Sequence, residues 1–510
     1  MLWFSAAIAG LTAAKKEHSI AMTGFVNAFN MFLFFVFSLC YMYQIVYAVY
    51  VLIVDHKRKP NDVDVELLRY AVLISGRNEE LVIGELVKSL KAQDYPQELI
   101  DVYVIADNCT DATAQVARDA GAIVFERFDQ VRKGKSYALN YALDKIRRAE
   151  GNEDGYTDYA GYFVFDADNV VDPGFVRAVN REMVLSPDYD AFTSYRNSKN
   201  YDDNWVSAGS AMWFLREAKF LSNARYRLGS SCAIGGTGFI IRAHILEDNE
   251  GWIHHLLTED IEFSTDCIAN GYRIGYVADA IIYDEQPTTF KDSWRQRLRW
   301  ARGFYQVLLR YGGNLFKGIA CKKGGRWACF DMFMTIAPAM LLTLVGVFMN
   351  LAFCLTGLVQ LISIASSVQD VVAQSAPVAV ANANPIITVV GLLTGSVFQG
   401  DALSGITSDN LAVYLSYGEA RSTIVASFTS FLGCFVSFAG IMLLFGALTT
   451  ATEWKQIHAK PAAKIKAIFT FPFFMLTYVP IALVAVFSKV EWKPIKHNVV
   501  VNATEITSRG

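Results

Sequence analysis

The sequence predicts an α/β domain with a mostly parallel sheet, amphipathic helices at a membrane interface, and an α-helical transmembrane region. Three observations predict it. Between residues 69 and 285, short apolar runs alternate with stretches of helical spacing, and strands interleaved with helices of about 10 to 15 residues imply a mostly parallel sheet. Elsewhere the apolar residues are blocked. Ser19 to Val54, Met332 to Gln369, Ser422 to Thr452 and Ala467 to Ser488 contain no Asp, Glu, Lys or Arg, and a spanning helix needs about 20 mostly apolar residues. Between the two regions, residues 294–303 read WRQRLRWARG, a density of arginine and tryptophan suited to a helix lying at a bilayer surface.

The elements follow in order. RYAVLIS (69–75) reads as a strand, LVIGELVKSLKAQ (81–93) as a helix and VYVIAD (102–107) as a strand. TDATAQVARDAG (110–121) has a Thr or Asp start and a glycine stop, the punctuation of a short helix. AIVFE (122–126) is a strand, KSYALNYALDKIRRA (135–149) a helix, YFVFDAD (162–168) a strand, and HHLLTEDIEFSTDCIANG (254–271) a helix opening at Thr258, Glu259 and Asp260.

The chain of 510 residues is 53% apolar and 19% charged, with a net charge of −3; no nucleic-acid partner is expected. The charges are more informative by position. His56, Lys57, Arg58 and Lys59 follow the first apolar run, no Lys or Arg lies between Arg326 and Arg421, and Lys455, Lys460, Lys464 and Lys466 precede the fourth run. The positive-inside rule then makes residues 55–330 cytoplasmic and places 370–421 outside. Counting crossings puts the tail outside, whereas Lys489, Lys493 and Lys496 favour the inside; both remain open. The first run is too long, and lacks the basic flank, for a cleaved signal, so it reads as a retained anchor. The organisation expected is an anchor (1–55), a cytoplasmic domain (56–290), interface helices (291–330), a transmembrane region with an external loop near 370–421 (331–488) and a tail (489–510). The eight cysteines have no metal-type spacing and read as free thiols.

Ligands bind beyond the carboxyl ends of strands in such sheets, and Asp107 and Asp166 stand at two of those ends. Taken singly, each is more often a turn former. DAD at 166–168 is a stronger sign, because it sets two carboxylates in one tight turn. Mg²⁺ is commonly held by one or two carboxylates together with substrate phosphates. No GxxxxGK[ST] or GxGxxG loop precedes a helix, which argues against an ATPase and a dehydrogenase. For Thr258, Glu259 and Asp260 the competing reading is a capped helix start. Gln296, Arg299 and Trp300 fall at i, i+3 and i+4, one helix face. Arg295, Arg297 and Arg302 are left to face lipid.

In order, ISGRNEE (74–80), ADNCTD (106–111), DAD (166–168), TED (258–260) and QRLRW (296–300) resemble the family-2 glycosyltransferases. More narrowly, they look like the membrane-embedded processive synthases: the cellulose, hyaluronan, chitin and poly-N-acetylglucosamine synthases and their bacterial exopolysaccharide relatives. It covers roughly residues 69–311. It implies that Asp107 reads uracil, that Ser75, Glu79, Lys135, Asp166, Gln296 and Arg299 line the donor, and that Asp166 and Asp168 hold Mg²⁺ or Mn²⁺. It further implies Asp260 as general base with Glu259 beside it, Arg299 facing the diphosphate, and Trp300, Gly236 and Thr237 at the acceptor. EWKPIKH (491–497) would be a gating segment.

The activity so implied is inverting, processive synthesis of a β-linked polysaccharide from a UDP-sugar, with UDP-glucose and a β-glucan favoured. The partners are the donor, the growing polymer, the bilayer and an export partner outside the cell membrane. The alternatives are single transfer to a lipid acceptor, or a poly-N-acetylglucosamine or hyaluronan-type synthase. A transporter or partner subunit with a degenerate domain is opposed by Asp166, Asp168, Asp260 and Arg299 all being present. Two features depart from the family pattern: one span rather than two or more precedes the domain, and the 370–421 loop is long.

Overall fold

In the computed structural model, which describes residues 2–55, 63–150, 157–321, 325–375, 411–490 and 497–508, RYAVLIS forms β1 (Tyr70–Gly76). All but Ser75 of its residues are buried, as expected of a strand covered on both faces. Helix α2 (Ile83–Lys91) turns Ile83, Leu86, Val87 and Leu90 inward, the i, i+3, i+4, i+7 spacing of an amphipathic helix. There follow β2 (Ile100–Asp107), α3 (Thr113–Asp119), β3 (Ile123–Arg127), α4 (Lys135–Glu150) and β4 (Gly161–Asp166), each within a few residues of its sequence reading. Beyond the DAD turn come β5 (Val170–Val171), α5 (Phe175–Leu185), β6 (Ala191–Ser198) and α6 (Trp205–Arg216). A wide π turn over Glu217–Ser222 leads into α7 (Asn223–Arg227), then β7 (Phe239–Arg242), α8 (Ala243–Asp248), α9 (Glu259–Asn270) and β8 (Ile274–Asp284).

The predicted fold class needs correction. By residue count the chain is 62% helix and 12% strand, a predominantly helical protein rather than one built on a mostly parallel sheet. The sheet itself is mixed, in the order β3-β2-β1-β4-β7-β6-β8-β5. The β3-β2-β1-β4 half is parallel, but β7 runs antiparallel to both β4 and β6, β5 antiparallel to β8, and only β6–β8 restores a parallel pair. The reason is the connection: the helical excursion α6–α7 returns β7 against β4 in the opposite sense, where a βαβ crossover would have kept it parallel.

The helical majority comes from α1 (Leu2–Val54), α10 (Phe290–Cys321), α11 (Arg326–Ile336), α12 (Pro338–Ser375), α13 (Leu411–Thr452), α14 (Pro461–Leu476), α15 (Tyr478–Phe487) and a short α16 (Ala503–Thr507). Four stretches, Met22–Val54, Leu341–Ile364, Leu415–Thr452 and Pro461–Phe487, are long and apolar enough to cross a membrane. They match the four uncharged runs. The 370–421 loop is only partly tested: its ends are helical, to Ser375 and from Leu411, and 376–410 lie outside the described residues. Of the gating segment 491–497, only His497 is described.

The chain divides into two units, residues 1–40 with 340–438 and residues 41–339 with 439–510. In the first, Asn30 and Asn350 exchange amide hydrogen bonds of 3.0 and 2.8 Å, and Phe353 packs edge-on against Phe25 and Phe29. Reciprocal amides of this kind satisfy polar groups between helices that have no water to turn to. Phe32, Phe35, Leu39 and Phe428 are exposed, a surface suited to lipid rather than water. The second unit holds the sheet, with a core of Tyr70, Val72, Ile74, Val102, Val104, Phe163, Phe165 and Phe175. A second cluster, from Val307 and Leu315 of α10 to Cys329 and Ile336 of α11, fixes α10 beside α9. Cys40, Cys109, Cys232, Cys267, Cys329, Cys354 and Cys434 are free thiols.

Candidate active site

Ser75 pairs in register with Ile105 on one side and Asp166 on the other, so β1, β2 and β4 end together. Two asparagines shape the loops beyond them. Asn78 and Asn108 take φ of 59° and 55°, a left-handed conformation that asparagine tolerates better than most side chains. Asn78 Oδ1 accepts the Thr110 N–H at 2.8 Å, and Asn108 Oδ1 the Asp129 N–H at 3.0 Å, which ties RNEE to DNCTD and to the loop after β3. Asp107 is buried against Arg127, its partner in strand register, with Arg127 Nη1 to Asp107 Oδ1 at 2.5 Å. Asn108 donates to the same oxygen at 3.0 Å.

At the end of β4, Lys135 Nζ donates to Asp166 Oδ1 at 2.6 Å and to the Gly236 carbonyl at 2.8 Å. Burial works against the Lys135 charge, but Asp166, Glu259 and Asp260 outweigh it and raise its pKa. Thr237 is buried and turned to this strand: its Oγ1 accepts the Asp166 N–H at 2.8 Å, and its hydroxyl donates to Asn169. Asp168 Oδ2 accepts the Glu285 N–H at 3.1 Å. It also faces His497 Nε2 at 3.9 Å, while His497 Nδ1 bonds Glu79 Oε2 at 3.0 Å. Burial opposes the charge on His497, yet Asp168, Glu79 and Glu285 together raise its pKa to about 10. Burial would raise Asp168, but His497, Lys199, the Glu285 N–H and Arg196 hold it below the usual carboxylate range. For Glu79 burial wins, and its pKa is raised despite His497.

Among the described residues no three or more His, Cys, Asp or Glu side chains form a full metal cage. Two carboxylates at the end of one strand still fit a hard divalent ion, since Mg²⁺ takes one or two carboxylates and leaves the remaining positions to phosphate and water.

The TED turn is not the capped helix start that the competing reading supposed. Thr258 precedes α9 but makes no capping hydrogen bond, and its Oγ1 is buried without a partner among the described residues. It is instead a packing surface: a Cβ on Gly303 of α10 would lie 2.4 Å from that oxygen, so only glycine lets α10 sit this close. Asp260 faces Gly236, whose φ is +90° and whose Cβ, if present, would lie 3.4 Å from Asp260 Oδ2. Burial and the neighbouring Glu259 charge raise the Asp260 pKa to about 7, against the pull of the Ile261 N–H, Lys135 and Arg299. A carboxyl poised near neutral pH is suited to taking a proton in that range.

On α10, Arg299 Nη1 donates to the Leu257 carbonyl at 3.1 Å, just before the TED turn. Gln296 Oε1 is buried with no partner among the described residues. Trp300 meets Phe214 edge to face, centroids 5.9 Å apart. The lipid-facing role expected for the other arginines fails at Arg297. It is fully buried, its guanidinium 4.2 Å from the Phe474 ring and 4.9 Å from Tyr478, with Nη1 donating to Thr477 Oγ1 at 2.5 Å. Arg302 Nη1 is taken up by the carbonyls of Ala485 and Val486, 3.3 and 3.2 Å away, the usual use of a cation at a helix C-terminus. Arg295 alone stays largely exposed.

Thus Lys135 lies within electrostatic reach of Asp166, Glu259 and Asp260, Asp260 within reach of Glu259, Lys135 and Arg299, and Gly236 against both Lys135 and Asp260, with Glu79 and Asp168 joined through His497. Asp107 is engaged by Arg127, and Trp300 lies against Phe214. Sequence reasoning missed His497 as a partner of Glu79 and Asp168, and it missed Arg196, which is ion-paired to Asp284 and within Coulombic reach of both DAD carboxylates. The signal for Arg196 was an arginine and two asparagines, YRNSKN (195–200), where a buried strand should have stayed apolar. His497 follows Glu79 by 418 residues, and the gating segment that ends at it gave no sign of these partners.

A family model described as glycosyltransferase-like family 2 matches residues 69–303. The probable glycosyltransferase YdaM of Bacillus subtilis is 29% identical over 49% of this chain and 59% of its own length. A β-monoglucosyldiacylglycerol synthase of Synechocystis is 28% identical over 47% of this chain and 48% of its own length. A poly-β-1,6-N-acetyl-D-glucosamine synthase of Staphylococcus epidermidis is 24% identical over 56% and 67%. The chain thus spans about half to two thirds of the length of these relatives. A solved mannosyltransferase of Pyrobaculum calidifontis, in complex with GDP-Man and Mn²⁺, superposes with a TM-score of 0.41 at 17% identity, over 80% of this chain and 99% of that one. The five motifs all fall within the matched stretch, so residues 69–303 are glycosyltransferase-like family 2 in sequence, and the chain also has, among the described residues, four helices long and apolar enough to cross a membrane.

Proposed function

We propose that this chain transfers a sugar from a UDP-sugar, with inversion, to an acceptor presented at the membrane. One observation carries the reading. Asp260, its pKa raised to about 7, sits against Gly236, and the Gly236 carbonyl is held by the same Lys135 ammonium that binds Asp166. A base for an acceptor hydroxyl and an anchor for a donor diphosphate thus share one wall. Asp260 takes the hydroxyl proton as the acceptor oxygen attacks the anomeric carbon. Lys135 and Arg299 meet charge on the departing diphosphate, Arg299 through the planar fork that suits phosphate oxygens. Mg²⁺ or Mn²⁺ at Asp166 and Asp168 supplies further charge neutralisation when bound. Asp107, Ser75, Glu79 and Gln296 serve the nucleotide side. Trp300 offers an indole face to the acceptor sugar, with Gly236 and Thr237 in the loop below. The catalytic domain is cytoplasmic and the protein multi-pass.

For the product, the relatives reported above support the alternatives over a processive β-glucan. Single transfer to a glycerolipid is the preferred reading, because the β-monoglucosyldiacylglycerol synthase is 28% identical. Chain growth to poly-N-acetylglucosamine is the second, on the 24% identical synthase. Detergent-solubilised protein with radiolabelled UDP-glucose or UDP-N-acetylglucosamine, and diacylglycerol present, separates them. The preferred reading expects one labelled lipid. A ladder or insoluble polymer replaces it with the second reading, and no labelled product of either kind sinks both.

A further inference from the structure

We infer that Arg196 and Phe214 are positioning residues for the Trp300 ring, setting how an acceptor sugar is presented to Asp260. The inference rests on the acceptor reading of Trp300 given above. Arg196 lies on β6, in register with Ile282, and its guanidinium is anchored at its edges. Nε donates to Asp284 Oδ2 at 2.7 Å and Nη1 to the Gly235 carbonyl at 2.5 Å. Its Cζ stands 3.7 Å from the centroid of Phe214. Phe214 in turn meets Trp300 at 5.9 Å with an interplanar angle of 80°.

The same arginine touches the other half of the site. A Cβ on Gly236 would lie 3.8 Å from Arg196 Nη1 and 3.4 Å from Asp260 Oδ2. One side chain therefore backs the loop against which Asp260 rests and, through a single ring, braces the indole. Only arginine suits this place. Its edges can be spent on hydrogen bonds while its face stacks, which the point charge of lysine cannot do. Phe214 is buried, and a cation stacked out of water is held more firmly than an exposed one. Loss of the brace lets the indole turn, and an acceptor hydroxyl misplaced by 1 Å can cost about 10² in rate. Water, as the competing acceptor, needs no platform.

The test uses the full chain in detergent with Mg²⁺, diacylglycerol and each labelled UDP-sugar, and reads label incorporated against UDP released. Phe214→Leu and Arg196→Lys should each lower incorporation per UDP released by about 10-fold or more, while Phe214→Tyr, which keeps the ring, stays near the parent. Equal loss of both products together with a lowered melting temperature would reduce the column to packing and overturn the inference, as would an unchanged ratio. If the parent releases no UDP from either sugar, the proposed function fails by itself. The positioning claim is then decided by ¹⁹F NMR of 5-fluorotryptophan-labelled protein, with the Trp300 signal assigned by its loss in Trp300→Phe. That signal should shift or broaden in Phe214→Leu and in Arg196→Lys; an unmoved signal overturns the inference.

Discussion

Replacing Asp260 by asparagine should slow the enzyme and make it more stable, and the two effects share one cause. Burial and the Glu259 charge raise the Asp260 pKa from 3.8 to about 7. Between those values an unfolded chain ionises this carboxyl while the folded one keeps it neutral, so stability falls as pH rises from about 4 to 7. Above about 7 the full penalty applies, on the order of 4 kcal/mol at 1.36 kcal/mol per pH unit. Asp260→Asn removes the penalty. Its melting temperature should exceed the parent's by several degrees at pH 8.5, and the difference should vanish near pH 4. Turnover should fall by at least about 10², the usual scale for a lost general base. In the parent, a base with this pKa is about a tenth deprotonated at pH 6 and about nine tenths at pH 8, so kcat/KM should rise about tenfold across that range. Glu259→Gln should move the midpoint of that rise to lower pH, because it removes a charge that raises the Asp260 pKa. The assays are thermal melts and initial rates of UDP release against pH. A flat profile from pH 6 to 8, or Asp260→Asn turnover within a few-fold of the parent, would remove Asp260 from the role of base.

Chelator should abolish UDP release, and Mg²⁺ or Mn²⁺ should restore it, since Asp166 and Asp168 would otherwise face a diphosphate unscreened; full activity in excess chelator removes the metal from the account. Trp300→Phe should raise the ratio of UDP released to sugar incorporated, because phenyl offers a smaller face and lacks the indole N–H; normal turnover at an unchanged ratio returns Trp300 to a purely packing role. His497→Ala should lower the melting temperature at pH 7. Its pKa near 10 makes the His497 contribution complete below about pH 6.5 and lost as pH rises through 10, so the deficit should shrink toward pH 10. A deficit independent of pH would mean that the tail packs without its charge.

The parallel half of the sheet was legible because its signals are local. Apolar runs such as YAVLISG and VYVIAD end in polar loops, and helices of regular spacing lie between them. The reversal at β7 was not. FIIR carries no mark of its direction, which is set by how α6 and α7 return the chain. The preponderance of helix was present in the four uncharged runs, which entered the predicted fold class as a transmembrane region beside the α/β domain rather than as the bulk of the chain. Of the site, the motif positions were legible because strand ends hold Asp107 and Asp166 and a helix start holds Glu259. Their partners were hidden wherever they are distant in sequence: Arg127 on Asp107, Phe214 against Trp300, and His497 between Glu79 and Asp168. Arg297 was misplaced because an arginine near a tryptophan at a membrane looks the same whether it meets headgroups or, as here, the rings of Phe474 and Tyr478.

The central claim is that this domain releases UDP from a UDP-sugar by chemistry centred on Asp260. The direct measurement is UDP release by the purified 510-residue chain in detergent with Mn²⁺ or Mg²⁺, across UDP-glucose, UDP-N-acetylglucosamine and UDP-glucuronic acid, with Asp260→Asn in parallel. Release is expected from at least one donor, dependent on the metal and lowered by at least about 10² in the mutant. No release from any donor, or release that Asp260→Asn leaves intact, would contradict it.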